Sequence, residues 1–459
     1  MTRTKRNLRI FFILLAIIAC LYGSFLWFVR STQVETARLH AEVGKRLEAR
    51  GLGALIEVEP QATAHLAASA FPVSMEIQEI EALLDEFREF WQSDVWPEYG
   101  VDNVIPCDCP EDEEQADTKE AEAFVRGEEQ TILRFLDLVN RVDFGGFIAA
   151  QAPIWSYSGW GQPAREGCEL ALASAYLAIQ DKDYHTAAVR IDTVVYLAEQ
   201  LAGAPFFDFA KARADTFHFL LRLSNTVNLV EILPPEFADH LVIVSAAAAM
   251  ASDLAPIALV DAWRATEEVD LLVDWFARYG VKQEEDGPVP STILRWWTRS
   301  YGAFNPWTHL DRETYVSTVF TLAELLERPY FEIIAEPENP LGKLQNPAKM
   351  RLLTKEYAGP LVNGYPLIQA RWQAICRILT LGLLVQRYHA ENGVIPDDLD
   401  VLRWPEEVDE RARATIQTDP FTGRPLRYSK DKDSCHITSP KLDEFYRCNC
   451  KKSFHFRGD

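Results

Sequence analysis

Residues 169–201 read ELALASAYLAIQ, then DKD, then YHTAAVRIDTVVYLAEQL. Two apolar-rich helical patterns, Glu169 to Gln180 and Tyr184 to Leu201, are separated by the three polar residues Asp181, Lys182 and Asp183. A break that short between helices returns the chain antiparallel to itself. The surrounding sequence repeats the theme: helical patterns with short polar breaks run from Thr131 to about Arg278, with further helices expected over Phe207 to Leu229, Pro235 to Ala251 and Ile257 to Arg278. The fold class read from this is mainly α, with an irregular helical-repeat body.

The segment Asp183-Tyr184-His185-Thr186-Ala187 resembles the inter-helix turn of tetratricopeptide (TPR) repeats. In that family a Tyr packs across the turn and a small residue lets the helices approach. No period near 34 residues follows, so a TPR-like but irregular packing is expected rather than a regular solenoid.

Outward from this centre, Ile10 to Val29 reads IFFILLAIIACLYGSFLWFV, an uncharged run long enough to span a bilayer as a helix. Arg3, Lys5, Arg6 and Arg9 precede it and Arg30 alone follows closely. By the positive-inside rule the N-terminus stays in the cytoplasm and the bulk of the chain lies outside it, anchored once in the inner membrane. Trp27 and Phe28 sit at an interfacial position. A cleaved signal peptide fits less well, because the run is long and no small-x-small site follows. Ile17-Ile18-Ala19-Cys20 resembles a lipobox, but the residues after Cys20 are membrane-like rather than a solvated tether, and Cys20 reads as a small apolar residue of the anchor.

After the anchor, helices are expected over Thr32 to Arg50, closed by Gly51 and Gly53, and over Ser74 to Trp91. Cys107 to Gln130 is dominated by Asp and Glu and reads as an exposed loop leading into the next helix; it lacks the EF-hand pattern of oxygen ligands. Gly287-Pro288-Val289-Pro290 breaks the helical run. Trp296, Trp297, Tyr301, Phe304 and Trp307 follow, read as core packing or as a stacking platform. A helix from Arg312 to Leu326 leads to an irregular crossing marked by Pro337, Pro340 and Pro347.

The C-terminal part opens with a long helix, Pro366 to His389, stopped by Asn392-Gly393. Asp419-Pro420-Phe421-Thr422-Gly423-Arg424-Pro425-Leu426-Arg427-Tyr428 then reads as a turn feeding a strand. Residues 430–433 form a hairpin tip, and Cys435 to Thr438 form the second strand. The order Tyr388-His389-Ala390-Glu391-Asn392-Gly393, Ile395-Pro396 and Asp-Pro-Phe-x-Gly-x-Pro-Leu-x-Tyr resembles the C-terminal region of the major pseudopilin of type II secretion. It covers under a fifth of the chain. The pseudopilin processing site and acidic calcium loop have no counterpart, so the resemblance implies a local α+β fold only. As a whole, the order of anchor, helical body, Asn305-Pro306-Trp307 and Asp419-Pro420-Phe421 is similar to an uncharacterised family of bacterial single-pass envelope proteins, and implies no activity.

The expected organisation is therefore 1–30 cytoplasmic N-terminus and anchor, 31–130 membrane-proximal helices and acidic loop, 131–365 helical body, and 366–459 a helix with a hairpin module. With 459 residues, 48% of them hydrophobic, the chain can bury more than one core. With 68 acidic against 46 basic residues and a net charge of −22, nucleic acid is excluded as a partner. The partners expected are the membrane, through residues 10–29, and envelope proteins.

Chemistry-bearing residues are sparse. Cys107, Cys109, Cys448 and Cys450 form matching Cys-x-Cys pairs that suit disulfides or a zinc site, with disulfides favoured outside the cytoplasm, or stay unconnected; Cys168 and Cys376 sit on apolar helical faces as core residues. Glu267, Asp270 and Asp274 share one helix face, read as solvated acids or as the paired carboxylates of a glycan hydrolase. No His-Glu-x2-His, Gly-x-Ser-x-Gly or phosphate loop is present, and no cofactor is expected. The function expected is a protein-interaction or scaffold role in the envelope. The alternatives are a carboxylate-dependent glycan hydrolase and an accessory of a secretion or pilus-like machine.

Overall fold

The computed structural model describes residues 37–50 with scattered positions from 20 to 35, then 104–105, 118–141, 161–204, 207–267, 306–344, 358–445 and 454–457. The expected helix over Ser74 to Trp91 lies outside these residues, as does most of the expected anchor. Cys20, residues 22–24 and Trp27 are described, all in helical conformation. Among the described residues, no single helix is long and apolar enough to cross a membrane. One bent pair, Pro235–Met250 with Leu254–Trp263 at 49°, passes by length and composition. Half of Pro235–Met250, including Leu241, Val242 and Val244, is buried in the helical core.

The chain divides into two compact units. The first comprises Met1–Ile56, Ala258–Leu325 and Glu338–Gly364; the second comprises Glu57–Ile257, Leu326–Pro337 and Tyr365–Asp459. In the first unit, the helix over residues 37–49 buries Leu39, Val43 and Leu47, four residues apart and so on one face. His40 stacks on Trp263 with ring centroids 3.7 Å apart, and Arg46 meets Glu324 at 3.0 Å.

The second unit carries α1 (Thr118–Gly127), α2 (Glu129–Arg141), α3 (Gly161–Gln180), α4 (Tyr184–Gln200), α5 (Phe207–Thr226), α6 (Leu229–Ile232) and α7 (Pro235–Met250). Next in the chain come α8 (Leu254–Glu267), α9 (Pro306–Leu326), α10 (Tyr330–Ala335), α11 (Pro340–Leu344) and α12 (Gly359–Asn392), of which α8, α9 and α11 lie in or mostly in the first unit. The second unit closes with α13 (Glu410–Ile416), β1 (Arg427–Lys430), β2 (Ser434–Thr438), α14 (Pro440–Phe445) and β3 (Phe454–Arg457). The fold is mainly helical with one small antiparallel sheet in the order β1-β2-β3.

The α3–α4 hairpin turns where the sequence places it. Lys182 takes φ 63° at the turn, and the Asp183 carboxylate caps α4 by accepting from the Thr186 N–H at 3.2 Å and from its hydroxyl at 2.6 Å. α3 starts eight residues earlier than its apolar pattern suggests, at Gly161. Pro163 falls in the first turn, where a missing N–H is harmless, and Gly167 lets the Phe135 ring lie against the helix backbone. Gly161 lies against Asp208, Arg165 faces Asp215 at 2.7 Å and Cys168 meets Thr216, so α3 and α5 run in the same direction.

The details of a TPR turn are only half present: Ala187 is fully buried, but Tyr184 is 47% exposed and does not pack across the turn. The expected helix over Phe207 to Leu229 stops at Thr226 and resumes as the single turn α6. The acidic stretch is not loop throughout: from Thr118 it is helical, because Ala121 and Val125 share a buried face while the acids point outward. α9 starts at Pro306 rather than Arg312, and α12 at Gly359 rather than at Pro366, which lies inside it.

The expected hairpin forms, with Lys430 of the expected tip paired to Cys435 as the last residue of β1, and a third strand, β3, lies beyond the two expected. Its Phe454 ring occupies the space a Cβ on Gly382 of α12 would need, and the His455 N–H donates to Asn225 of α5 at 3.0 Å. Phe454, Phe456, Cys435 and Ile437 thereby bury one sheet face in the helical core. Tyr428 donates to the Pro396 carbonyl at 2.5 Å, and Lys430 reaches the Ile395 carbonyl at 2.6 Å, fixing the Ile-Pro segment to β1.

Candidate functional site

In the second unit Gln369, Gln373, Arg377 and Thr380 of α12 lie along one stripe, and the first three meet backbone of neighbouring elements. Gln369 donates to the Leu326 carbonyl at 2.5 Å and accepts from the Leu254 N–H at 3.3 Å. Gln373 donates to the Ala251 carbonyl at 2.9 Å, and Arg377 to the carbonyls of Ala249 at 3.4 Å and Thr418 at 2.6 Å. Thr380 meets Ser245 at 2.9 Å. Six residues further on, Gln386 donates to the Ser224 and Val227 carbonyls and accepts from the Leu229 N–H. Helix ends leave backbone groups unsatisfied, and α12 satisfies those of its neighbours.

The recess lined by Arg213, Phe217, Asp253, Gln369, Trp372, Gln373 and Cys376 belongs to the same system. The buried Arg213 guanidinium is held by both Asp253 oxygens, at 2.7 and 2.5 Å, by the Ala198 carbonyl at 3.0 Å, and over the Phe217 ring at 5.7 Å. Burial pushes the Cys376 thiol up to about 12, and the Cys168 and Cys435 thiols likewise, so none of the three is a ready nucleophile. Burial also lowers Arg377 to about 10. The recess therefore holds charge that is already paired and a thiol that stays protonated.

Near the start of α3, the buried Glu166 is raised to about 7, chiefly by desolvation; Gln162 and Arg165 oppose the shift. One of its oxygens has no hydrogen-bond partner. Arg165, Asp208 and Asp215 lie at the same α3–α5 junction, and burial raises Asp208 too. Among the described residues no three His, Cys, Asp or Glu side chains are placed to hold a metal ion.

The outward side of α4 is different. His185, Val189, Tyr196 and Glu199 are exposed, with Asp192 half-buried, at the spacing of a single helical stripe. Val189 and Tyr196 are 41% and 39% exposed. His240 of α7 stands 3.2 Å from Asp192 and 3.4 Å from Glu199. Across α4, Glu129 of α2 pairs with Arg190 and Asn140 approaches Thr193 at 3.5 Å. Leu133, on the same α2 face as Glu129 and Asn140, is 46% exposed.

Of the residues singled out from the sequence, Cys168 and Cys376 are buried core residues as expected. Cys107, Cys109, Cys448, Cys450, Asp270, Asp274, Trp296, Trp297, Tyr301 and Phe304 lie outside the described residues; Glu267 and Trp307 are described only as helical backbone. The Arg213–Asp253 pair and the α12 stripe were not singled out, although Gln369, Gln373, Arg377 and Thr380 recur at helical spacing within an apolar helix and could have been found from that pattern. Comparison of the chain with family models, with curated proteins and with solved structures found no match.

Proposed function

We propose that this is an envelope protein, anchored by residues 10–29, that acts through protein contacts made by its helical body. The observation that carries this reading is the contrast in the second unit between its recess, where Arg213, Gln369 and Gln373 are engaged by Asp253 and helix-end backbone, and α4, which turns Val189 and Tyr196 to solvent. The anchor rests on the uncharged run at 10–29 and the basic residues before it. The secretion-accessory reading needs the C-terminal module free to dock, and its inner sheet face is buried in the helical core. The acids named for the glycan-hydrolase reading, Asp270 and Asp274, lie outside the described residues, and Glu267 is described only as helical backbone.

Membrane fractionation with protease accessibility tests the topology. The full chain is expected in the membrane fraction after an alkaline wash, with its body cleaved only when protease is added from the non-cytoplasmic side. Release by the wash, or cleavage from the cytoplasmic side, overturns it.

A further inference from the structure

Two apolar side chains and two acids alternate along the α4 stripe: Val189, Asp192, Tyr196 and Glu199. Val189 and Tyr196 are seven residues apart, as are Asp192 and Glu199, so each pair is separated by about 10.5 Å along the axis. Neither acid meets a Lys or Arg among the described residues; both face only His240, which carries charge only when protonated. Leu133 is a third exposed apolar side chain, on the α2 face that meets α4 through Glu129 and Asn140.

A surface that repeats apolar and acidic positions every two turns is matched by another helix, with apolar anchors at i and i+7 and cations between them. An extended peptide places alternate side chains at about 7 Å and does not keep that register. We propose, building on the contact reading above, that the α4 stripe docks a basic amphipathic helix of a partner protein. Its apolar anchors sit on Val189, Tyr196 and Leu133, and its Lys or Arg side chains take over Asp192 and Glu199 from His240. The net charge of −22 speeds the encounter with such a cation-rich partner, and the local pairs set the register.

The probe is a fluorescent amphipathic helix of about 18 residues made of Leu and Lys, titrated with the detergent-solubilised full chain and followed by anisotropy. The double variant Asp192→Lys with Glu199→Lys is expected to weaken binding at least about tenfold. Glu406→Lys with Glu407→Lys changes the net charge equally at two exposed positions and is expected to leave affinity within about twofold. Equal weakening by both variants overturns the proposal, because the attraction is then only the field of the whole protein.

A photo-crosslinking residue at Val189, and another at the exposed Val401, in the native envelope separate this proposal from the reading beneath it. An adduct from position 189 carrying a basic helical peptide supports both. An adduct from 401 alone, or a peptide from 189 that is not basic, overturns the α4 assignment and leaves the contact reading standing. No adduct at either position overturns the contact reading itself.

Discussion

α12 and α4 each carry polar side chains along one helical stripe, and they use them in opposite ways. On α12, Gln369, Gln373 and Arg377 are turned inward onto helix ends, and Arg377 and Gln369 are almost fully buried. On α4, Asp192 and Glu199 remain at the surface, where His240 is the only charge-bearing partner they meet among the described residues. A polar stripe is therefore not evidence of a site until its partners are known. Backbone partners mean that the stripe holds the fold together, and water means that it is available to something else.

The comparison breaks most sharply at the buried pair served by the same recess. Arg213→Met leaves Asp253 without its cation and is expected to destabilise the second unit by about 3–5 kcal/mol, read as a fall in the melting temperature. Adding Asp253→Leu to that variant should recover part of the loss. No recovery would mean that Arg213 matters through the Ala198 carbonyl and Phe217 instead.

Glu166 tests the inward class from its weak side. Its folded pKa of about 7 lies above the ordinary 4.5, so the folded state holds the proton more tightly and this group adds stability as pH falls from 7 towards 4.5. Above pH 7 the buried charge opposes folding by at most about 3 kcal/mol. Glu166→Gln should accordingly stabilise the chain at pH 8 and be close to neutral at pH 5. A gain of the same size at both values would show that the effect is not titration.

Next in size, Gln386→Leu strands the Leu229 N–H and the Ser224 and Val227 carbonyls, and should lower stability by about 1–3 kcal/mol in denaturant unfolding. The smallest effect belongs to α4: Val189→Ala and Tyr196→Ala should each change stability by less than about 0.5 kcal/mol. A loss comparable to that of Gln386→Leu would place these side chains in the fold and remove the contrast.

How much of this was legible in the sequence depends on the range of the interaction. The α3–α4 hairpin was readable because its turn, its cap at Asp183 and its apolar faces are local. The starts of α3, α9 and α12 were read late because Pro163, Pro306 and Pro366 look like breakers, although two of them sit in first turns and Pro366 is accommodated inside a long packed helix. β3 escaped notice because four residues give too little alternation to see; Cys435 and Ile437 on β2 decide it. The candidate site was harder still. Nothing local distinguishes Gln369, whose partners are Leu254 and Leu326, from Glu199, whose neighbour is a distant histidine.

The position of β3 bears on how the protein is made. The His455 N–H reaches an acceptor 230 residues earlier in the chain, and Phe454 closes against Gly382. A chain synthesised from its N-terminus has α5 and α12 made before this strand arrives. Until then the apolar face that Phe454 and Phe456 cover stands open, and an intermediate lacking these residues is the natural substrate for a folding helper or a quality-control protease. Such non-local closure slows the final step of folding.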